Sequence, residues 1–411
     1  MSSLVDTQNE FAPIVPNPGS ESNTANFVGH EAEIARAIDM MKAGQKMVLT
    51  DPRRMGKTFW MIALAERLKR DHGYRVVLID YMGVDTTQEF LLKTVRALVA
   101  SQKLSRKFVA FLKIWFDNVD ITLSKGPVTL KKAAQNIDPL LLLEQVLNQL
   151  SVDATKHAKP PYVIMMDEVP DAVLGVAEQG ANPTDGKNLL QRLRGLRQDT
   201  PGIRWILAGS VGFHHVWTIC GANDSVINDL DQIDFGPLDE ADAIVLTRRL
   251  ALGIERSIDD DAIKEMVGIT GGMPYLIHEL SLLLHYDDKN QVLHQPITAA
   301  DVRKAFTAFI EDTNKSHAVT QFVSKIPDYY KGDDTKLAYA ILDWVAQDPP
   351  SWQTLADLPV DIREHERFLP VYHNLILDQY IETRNDGQEI RWRYDFIRVI
   401  YRRYRLLKRR K

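Results

Sequence analysis

The sequence predicts an α/β fold, in which a parallel β-sheet is covered by helices on both faces and is followed by mostly helical regions. Short apolar segments alternate with segments in which apolar residues recur at helical spacing. The short segments are apolar almost throughout, which is typical of parallel strands that are buried on both faces and joined by right-handed crossovers. Strand-like segments stop after Phe235, so we expect the rest of the chain to form separate regions.

Length and composition place the chain among ordinary globular proteins. It has 411 residues, of which 45% are hydrophobic and 26% are charged, which suggests two or three domains and excludes collagen-like, coiled-coil and wholly disordered chains. No apolar run reaches the length of about 18 residues that a membrane span needs, and the N-terminal residues lack the pattern of a secretion signal. We therefore expect a cytoplasmic protein. The one cysteine, Cys220, excludes an internal disulfide and has no recognisable base partner, which disfavours a thiol nucleophile.

The first predicted domain follows an N-terminal arm. Residues 1–25 are rich in Ser, Asn, Pro and Glu without apolar periodicity, which predicts a flexible arm, and residues 26–235 are predicted to form the α/β core. The core's predicted helices are Glu31–Lys42 and Lys57–Arg70, and its predicted strands are Gln45–Thr50, Tyr74–Tyr81, Tyr162–Met166 and Arg204–Ala208. The connection Asp85–Leu150 is predicted to be mostly helical, with a turn at Lys125-Gly126-Pro127.

Two further domains are predicted after the core. Residues 236–312 have the periodicity of a small helical domain, with helices at Asp239–Leu252, Asp259–Ile269, Pro274–His285 and Thr298–Glu311. Residues 313–411 are predicted to contain helices at Lys336–Gln347, Trp352–Leu358 and Glu364–Leu377, then strands at Tyr380–Arg384 and Ile390–Tyr394. The strands flank Asn385-Asp386-Gly387, which is a hairpin signal. Three helices and a hairpin predict a winged-helix-like module.

A candidate phosphate-binding loop lies where the first strand meets its helix. The residues there are Asp51-Pro52-Arg53-Arg54-Met55-Gly56-Lys57-Thr58. The free amides and the dipole of a helix N-terminus attract a phosphate, Gly56 permits close approach of the backbone, Lys57 can reach the terminal phosphates, and the Thr58 hydroxyl can bind Mg²⁺. Asp51 departs from the usual pattern, which has glycine there. It strains the turn if its φ must be positive, and it repels phosphates unless its carboxylate points away.

A pair of acids closes a later strand. Asp167 and Glu168 follow the apolar segment Val163–Met166. A carboxylate at the C-terminal end of a parallel strand lies at the sheet edge where ligands bind. Asp167 can hold Mg²⁺ through water, and Glu168 can polarise an attacking water.

In this combination the chain resembles the AAA+ ATPases, and more closely the STAND-type, archaeal-ATPase-like branch of P-loop proteins, over about residues 26–311. Phe27-Val28-Gly29-His30-Glu31-Ala32-Glu33 resembles the motif beside the adenine, with His30 in place of the common arginine. Arg53, Arg54 and Met55 are similar to the loop residues of that branch. The resemblance implies that Ser210, in Ala208-Gly209-Ser210, senses the γ-phosphate, and that Pro274, in Gly272-Met273-Pro274, contacts nucleotide from a helical lid.

Arginines before the fourth predicted strand are candidates for completing such a site. A cation at the transferring phosphoryl group assists hydrolysis, and the family often receives it from a neighbouring subunit. Arg194 and Arg197 lie three residues apart on one face of a predicted helix, and Arg192 lies on another flank. A plain solvated basic face is the alternative. Arg53 and Arg54 are further candidates, either for phosphate contact or for packing against the Asp51 carboxylate.

Charge is distributed unevenly along the chain. The formal net charge is −5, yet residues 391–411 contain ten basic residues and one acid, Asp395. Such a segment can contact the phosphate backbone of DNA without reading its sequence, meet an acidic partner, or form a solvated helix. The expected recognition helix, Glu364–Leu377, has few cations, which is poor for a helix that reads DNA bases. DNA contact and protein contact or autoinhibition both stay open.

These patterns lead to one hypothesis and two rivals. We expect an ATPase that binds ATP or ADP with Mg²⁺, hydrolyses ATP, and couples its nucleotide state to engagement of a partner or of DNA. The resemblance is compatible with a component of mobile-element or phage defence, a DNA-loading factor or a signalling switch. One rival is a nucleotide-binding scaffold that hydrolyses little or nothing and regulates a partner protein. The other is a DNA-dependent motor or loader. A site shared between subunits would make the protein a homo-oligomer.

Overall fold

The computed structural model describes residues 12–19, 22–101, 138–156, 160–179, 184–210, 213–222, 224–286, 291–312, 322–347 and 350–409. The predicted turn at Lys125-Gly126-Pro127 lies outside the described residues. The chain divides into two compact units. We call Glu31–Thr50 and Trp60–Phe235 the sheet unit, and Met1–His30, Asp51–Phe59 and Gly236–Lys411 the helical unit.

The sheet unit is built on five parallel strands in the order β2-β3-β4-β1-β5. Its described strands are β1 (Met47–Thr50), β2 (Arg75–Asp80), β3 (Tyr162–Asp167), β4 (Ile203–Gly209) and β5 (Asp231–Gln232). Its described helices are α1 (Glu31–Lys42), α2 (Lys57–His72, whose first three residues belong to the helical unit), α3 (Thr87–Ala100), α4 (Pro139–Lys156), α5 (Val169–Gln179), α6 (Asp185–Asp199) and α7 (Phe213–Ile219). The predicted parallel α/β sheet is confirmed.

The interior strand β3, which lies between β2 and β4, explains why the apolar segments form this sheet. All six of its residues are buried, so both of its faces are covered. Helix α3 covers the sheet with Phe90, Val95 and Leu98, which are fully buried. Thr94 lies on the same buried stripe, and its hydroxyl contacts the hydroxyl of Tyr81 at 2.6 Å. Buried polar groups are thereby paired inside an otherwise apolar layer.

Four helices follow in the helical unit, as predicted. They are α8 (Glu240–Gly253), α9 (Asp260–Thr270), α10 (Pro274–His285) and α11 (Ala299–Glu311). Side chains that cap free backbone amides set the starts of α8, α9 and α11, whereas α10 begins at Pro274 without a side-chain cap. The Asp259 carboxylate accepts from the amide of Ala262, and Thr298 and Asp301 form a reciprocal capping box. The predicted cap at Thr298 is therefore confirmed.

The last part of the helical unit combines helices with a small antiparallel sheet in the order β6-β8-β7. Its described helices are α12 (Ile326–Tyr329), α13 (Asp333–Val345), α14 (Val360–Arg363), α15 (Phe368–Leu377) and α16 (Asp395–Arg409), and its strands are β6 (Gln353–Thr354), β7 (Ile381–Arg384) and β8 (Glu389–Trp392). The predicted hairpin is present: β7 and β8 pair across a turn in which Asn385, Asp386 and Gly387 have positive φ.

Two helix predictions in this part were wrong in detail. The segment Trp352–Leu358 is not one helix, because Gln353 and Thr354 pair with β8 and only Leu355–Asp357 forms a 3₁₀ turn. The helix predicted to begin at Glu364 begins at Phe368 instead. Pairing with a strand about 35 residues away decides the first case, and local periodicity does not contain that information.

Part of the predicted N-terminal arm is packed. Ile14 is 1% exposed, and its amide donates to the carbonyl of Arg249 at 2.9 Å. The Arg249 guanidinium donates in turn to the carbonyls of Ala12 and Ala25. Gly253 has no side chain where the backbone of Ile14 approaches it. The prediction of flexibility therefore does not hold for residues 12–18, because one buried isoleucine and its hydrogen bonds hold them.

None of the helices in the described part of the chain is both long and apolar enough to span a bilayer.

Candidate functional site

The candidate phosphate loop joins β1 to α2. Strand β1 ends at Thr50 and helix α2 begins at Lys57, so residues 51–56 form the turn between them. The positive φ values of this turn belong to Arg54 (72°) and Gly56 (98°). Asp51 does not have a positive φ, so it is not strained in the way that a left-handed backbone would strain it. Gly56, which has the largest positive φ of the turn, can adopt that conformation because it has no side chain.

Lys57 is fixed over this loop by hydrogen bonds to the backbone. Its ammonium donates to the carbonyl of Asp51 at 2.6 Å and to the carbonyl of Pro52 at 2.8 Å. The side chain is only 6% exposed, although it is charged. Thr58 follows in the first turn of α2 and is exposed, whereas Met55 is fully buried below the loop. The loop therefore presents a cation and a hydroxyl beside the amides of a helix N-terminus.

The Asp51 carboxylate turns toward the rest of the helical unit. One of its oxygens accepts from the amide of Gly236 at 3.1 Å, and the other contacts the hydroxyl of Tyr394 at 3.4 Å. Asp51 is 4% exposed and Tyr394 is 8% exposed. Burial raises the pKa of Tyr394, and the nearby charge of Asp51 raises it further. These contacts explain how an acid can occupy the first position of the loop.

Arg54 packs against helix α10. Its guanidinium lies 4.9 Å from the centre of the Tyr275 ring, a cation–π contact, and it passes Gly19 where that residue has no side chain. Arg53 is half-buried in the same loop. Of the two predicted roles, packing is therefore observed for Arg54, with Tyr275 rather than Asp51 as its partner.

Two other predicted motifs meet the loop within the helical unit. Gly56 lies next to Pro274, since a side chain built on Gly56 would reach the Pro274 ring at 3.9 Å. Gly29 and Gly272 both pack closely against Leu238, whose amide also donates to the carbonyl of Gly272 at 3.0 Å. The phosphate loop, the motif around Gly29 and the Gly-Met-Pro turn are thus brought together.

The predicted acids and the predicted sensor meet within the sheet unit. Asp167 ends β3 and accepts from the amide of Glu168 at 3.0 Å. Glu168 has a positive φ of 55° and accepts from the amide and the hydroxyl of Ser210, at 3.4 and 3.2 Å. The Ser210 hydroxyl also lies 3.4 Å from the carboxylate of Asp171. Ser210 therefore bridges two carboxylates, and Glu168 is held at the end of the strand.

Asp171 is the residue that sequence reasoning missed. It lies in the first turn of α5, four residues after Asp167, and it is half-buried. An acid in the first turn of a helix is usually explained by its favourable interaction with the helix dipole. The position of Asp171 in the sequence therefore did not mark it as a candidate site residue.

The strand register places these groups at one edge of the sheet. Thr50 pairs with Gly209 at the ends of β1 and β4, and Met166 pairs with Leu207 near the ends of β3 and β4. Because all these strands are parallel, their carboxyl ends lie at one edge. The phosphate loop starts from that edge, since Asp51 directly follows Thr50.

Arg197, one of the two arginines predicted to be catalytic, lies in the interior of the sheet unit. Its guanidinium is 2% exposed and donates to both carboxylate oxygens of Asp229, at 3.0 and 2.7 Å, and to the carbonyl of Val226. Burial tends to raise the pKa of Asp229, but the hydrogen bond and charge of Arg197 outweigh it and the pKa is lowered. Because the Arg197 guanidinium is buried in this internal ion pair, it does not reach a phosphate, and we withdraw the prediction that Arg197 is catalytic.

The other arginines of α6 lie closer to solvent. Arg194 is half-buried, and its Nε is buried without a hydrogen-bond acceptor among the described residues. Arg192 is exposed.

Cys220 is not activated as a nucleophile, because burial raises the pKa of its thiol to about 11.

Comparison with known proteins identifies the fold. No protein-family model and no curated protein matches the chain. A Walker-type ATPase of Pyrococcus abyssi has a similar structure, with a TM-score of 0.56 and 16% identity over 94% of this chain and 98% of that chain. The ORC2 protein of Aeropyrum pernix, solved as ADPNP–ADP complexes, has a TM-score of 0.53 and 9% identity over 97% of each chain. At these identities the likeness is one of fold.

Proposed function

We propose that this chain, which has the fold of the AAA+ P-loop ATPases, binds ATP with Mg²⁺ and hydrolyses it. The observation that carries the proposal is the anchoring of the Lys57 ammonium on two loop carbonyls at the N-terminus of α2. A buried ammonium beside free helix amides is suited to a polyphosphate, since both attract negative charge.

The residues present are suited to a magnesium-bound triphosphate. Thr58 and Asp167 supply the hydroxyl and carboxylate oxygens that Mg²⁺ prefers. When bound, Mg²⁺ neutralises charge on the β- and γ-phosphates. In the proposed site the motif around Gly29 lies beside the adenine, and Pro274 closes over the nucleotide from the lid. We propose adenine nucleotides as ligands on this basis.

Glu168 is the proposed general base. Its carboxylate accepts a proton from a water whose oxygen attacks the γ-phosphorus, and the bond from that phosphorus to the β–γ bridging oxygen breaks to release ADP and phosphate. The Ser210 hydroxyl, at 3.2 Å, orients the carboxylate, and in this proposal it also responds to the γ-phosphate. Arg194 remains our candidate for the assisting cation, supplied to a neighbouring subunit of a homo-oligomer.

Phosphate release tests this proposal. We expect Glu168→Gln to lower the rate about 100-fold or more while ATP binding is retained, and Lys57→Ala to weaken ATP binding itself. If the wild type and Glu168→Gln release phosphate at the same background rate and both bind ATP, the chain is the non-hydrolysing scaffold. If titration calorimetry detects neither ATP nor ADP, both functions are excluded.

We further propose that the C-terminal region restrains the ATPase or contacts a protein partner, rather than acting as a DNA clamp. Several of its arginines are engaged within the chain: Arg391 pairs with Glu382, Arg398 is 4% exposed and donates to Asp395, and Arg405 forms a two-pronged pair with Asp343. These contacts favour a structural role for the basic segment. The DNA-dependent alternative predicts that duplex DNA stimulates turnover and that deleting residues 402–411 removes the effect.

A further inference from the structure

We propose that Asp51 and Tyr394 form a tie through which the C-terminal region positions the phosphate loop for nucleotide. This inference rests on the proposed function, and it makes both side chains positioning residues rather than catalytic ones. It also explains why an acid stands at a loop position that usually holds glycine.

The tie begins at the two oxygens of the Asp51 carboxylate. Oδ2 accepts from the Gly236 amide at 3.1 Å, at the residue where the chain leaves the sheet unit for the last time. Oδ1 contacts the Tyr394 hydroxyl at 3.4 Å, across 343 residues of sequence. Both contacts lie within the helical unit and are buried. A glycine at position 51 would make neither of them.

The same residue fixes the catalytic lysine through its backbone. The Lys57 ammonium donates to the carbonyls of Asp51 and Pro52. The side chain and the carbonyl group of Asp51 are attached to the same Cα atom, so contacts that hold the carboxylate also restrict the orientation of the carbonyl. A side chain held by Gly236 and Tyr394 therefore holds the carbonyl that places the ammonium.

Tyr394 is well placed to report the state of the C-terminal region. It lies between β8 and α16, and its hydroxyl also lies 3.0 Å from the side-chain carbonyl of Gln379 and 3.0 Å from Nε of Arg393. A hydroxyl has one proton, so Tyr394 can donate to Asp51 or to Gln379 but not to both. Movement of α16 that breaks the contact with Asp51 leaves Tyr394 another acceptor, which lowers the cost of switching.

Phe396, the second residue of α16, connects Tyr394 to the turn after helix α9. Phe396 stacks on Tyr394 with ring centroids 5.8 Å apart, and it packs against Gly271, which ends helix α9. A partner that binds the C-terminal region and displaces the start of α16 would therefore reach the phosphate loop and the lid turn together.

Two substitutions separate this tie from simple charge repulsion. Tyr394→Phe removes only the hydroxyl and leaves the charge of Asp51, whereas Asp51→Gly removes the carboxylate. Tyr401→Phe is the matched control, because it removes a buried hydroxyl of the adjacent helix α16 that bonds Asp343 instead of the loop. ADP affinity is measured for the full chain by calorimetry, and amide hydrogen exchange is measured at residues 53–57 without nucleotide.

We expect Tyr394→Phe to weaken ADP binding about 3- to 10-fold, and the double variant Asp51→Gly/Tyr394→Phe to be no weaker than Asp51→Gly alone. Exchange at residues 53–57 should accelerate in Tyr394→Phe but not in Tyr401→Phe.

The inference is overturned if Tyr394→Phe matches Tyr401→Phe in both measurements, or if the two changes in ADP affinity add. It is overturned as well if Asp51→Gly tightens binding while Tyr394→Phe does nothing, because repulsion alone then explains Asp51. If the wild type binds no nucleotide, both the proposed function and this inference are wrong. If the wild type binds ADP and Tyr394→Phe binds it with the same affinity, only the inference is wrong.

Discussion

At the scale of single residues, the candidate site owes its geometry to side chains whose partners are distant in sequence. Ser210 lies 42 residues from Glu168, and Tyr394 lies 343 residues from Asp51, yet both contact the acid in question. The motif residues Gly56, Lys57 and Thr58 are recognisable because they are contiguous. The residues that contact them in space are not contiguous in sequence, so the contribution of those residues can be tested only by substitution.

Ser210→Ala should slow phosphate release about 10-fold without changing ADP affinity. The serine hydroxyl lies 3.2 Å from the Glu168 carboxylate, and without this contact the proposed base would sample unproductive orientations. Steady-state phosphate release and ADP calorimetry check this. Ser210→Thr, which keeps the hydroxyl, should retain most of the activity. A Ser210→Ala variant with wild-type turnover would show that Ser210 does not position the base.

Arg197→Ala should destabilise the protein by about 3–5 kcal/mol, because it leaves the Asp229 carboxylate without its guanidinium in the interior of the sheet unit. Urea denaturation measures this. The control is Arg192→Ala on the same helix, which is exposed and should stay within about 0.5 kcal/mol of the wild type. A stable Arg197→Ala variant with reduced turnover would restore Arg197 as a catalytic candidate.

The difference between Arg194 and Arg197 marks the limit of sequence reasoning at this scale. Helical spacing correctly places both on α6. It does not say that Asp229 lies against one end of that helix, because Asp229 comes from a segment beyond β4 and α7. Likewise the acid at position 51 looks unfavourable from sequence, and only the Gly236 amide and the Tyr394 hydroxyl account for it.

At the scale of elements, prediction succeeds where the signal is local and fails where pairing is long-range. The bounds of α10 are those expected, because Pro274 is favoured at the first position of a helix. Strand β3 is equally clear, since a buried parallel strand is apolar throughout. The short strand β6 is not, because two residues become a strand only by pairing with β8.

Helix α16 gives an element-scale prediction, since its charged face is attached to α13. Arg405 donates twice to Asp343 and lies 4.2 Å from the centre of the Tyr339 ring. We expect Arg405→Ala to lower the free energy of unfolding by about 1–2 kcal/mol, a value reduced by partial exposure of the pair.

Arg405→Lys is the matched control for urea denaturation of these variants. It keeps the charge but loses the planar fork, so it should recover less than half of the loss. If neither Arg405→Ala nor Arg405→Lys changes the free energy of unfolding, the pair with Asp343 does not hold α16. The basic segment then becomes available again for a DNA-binding role.

At the scale of the whole molecule, the chain passes between the two units four times, at residues 30–31, 50–51, 59–60 and 235–236. The phosphate loop packs in the helical unit, although the strand before it and most of the helix after it belong to the sheet unit. A ligand on this loop is therefore connected to both units through a few residues of backbone.

This connection predicts that nucleotide stabilises both units together. At 100 times its Kd, ADP with Mg²⁺ should raise the free energy of unfolding by about 2.7 kcal/mol, since it binds only the folded loop. Scanning calorimetry should show every unfolding transition moving upward in the wild type. Lys57→Ala, which removes the ammonium, should show none of these shifts at the same ADP concentration. A shift confined to one of two resolved transitions would contradict this prediction.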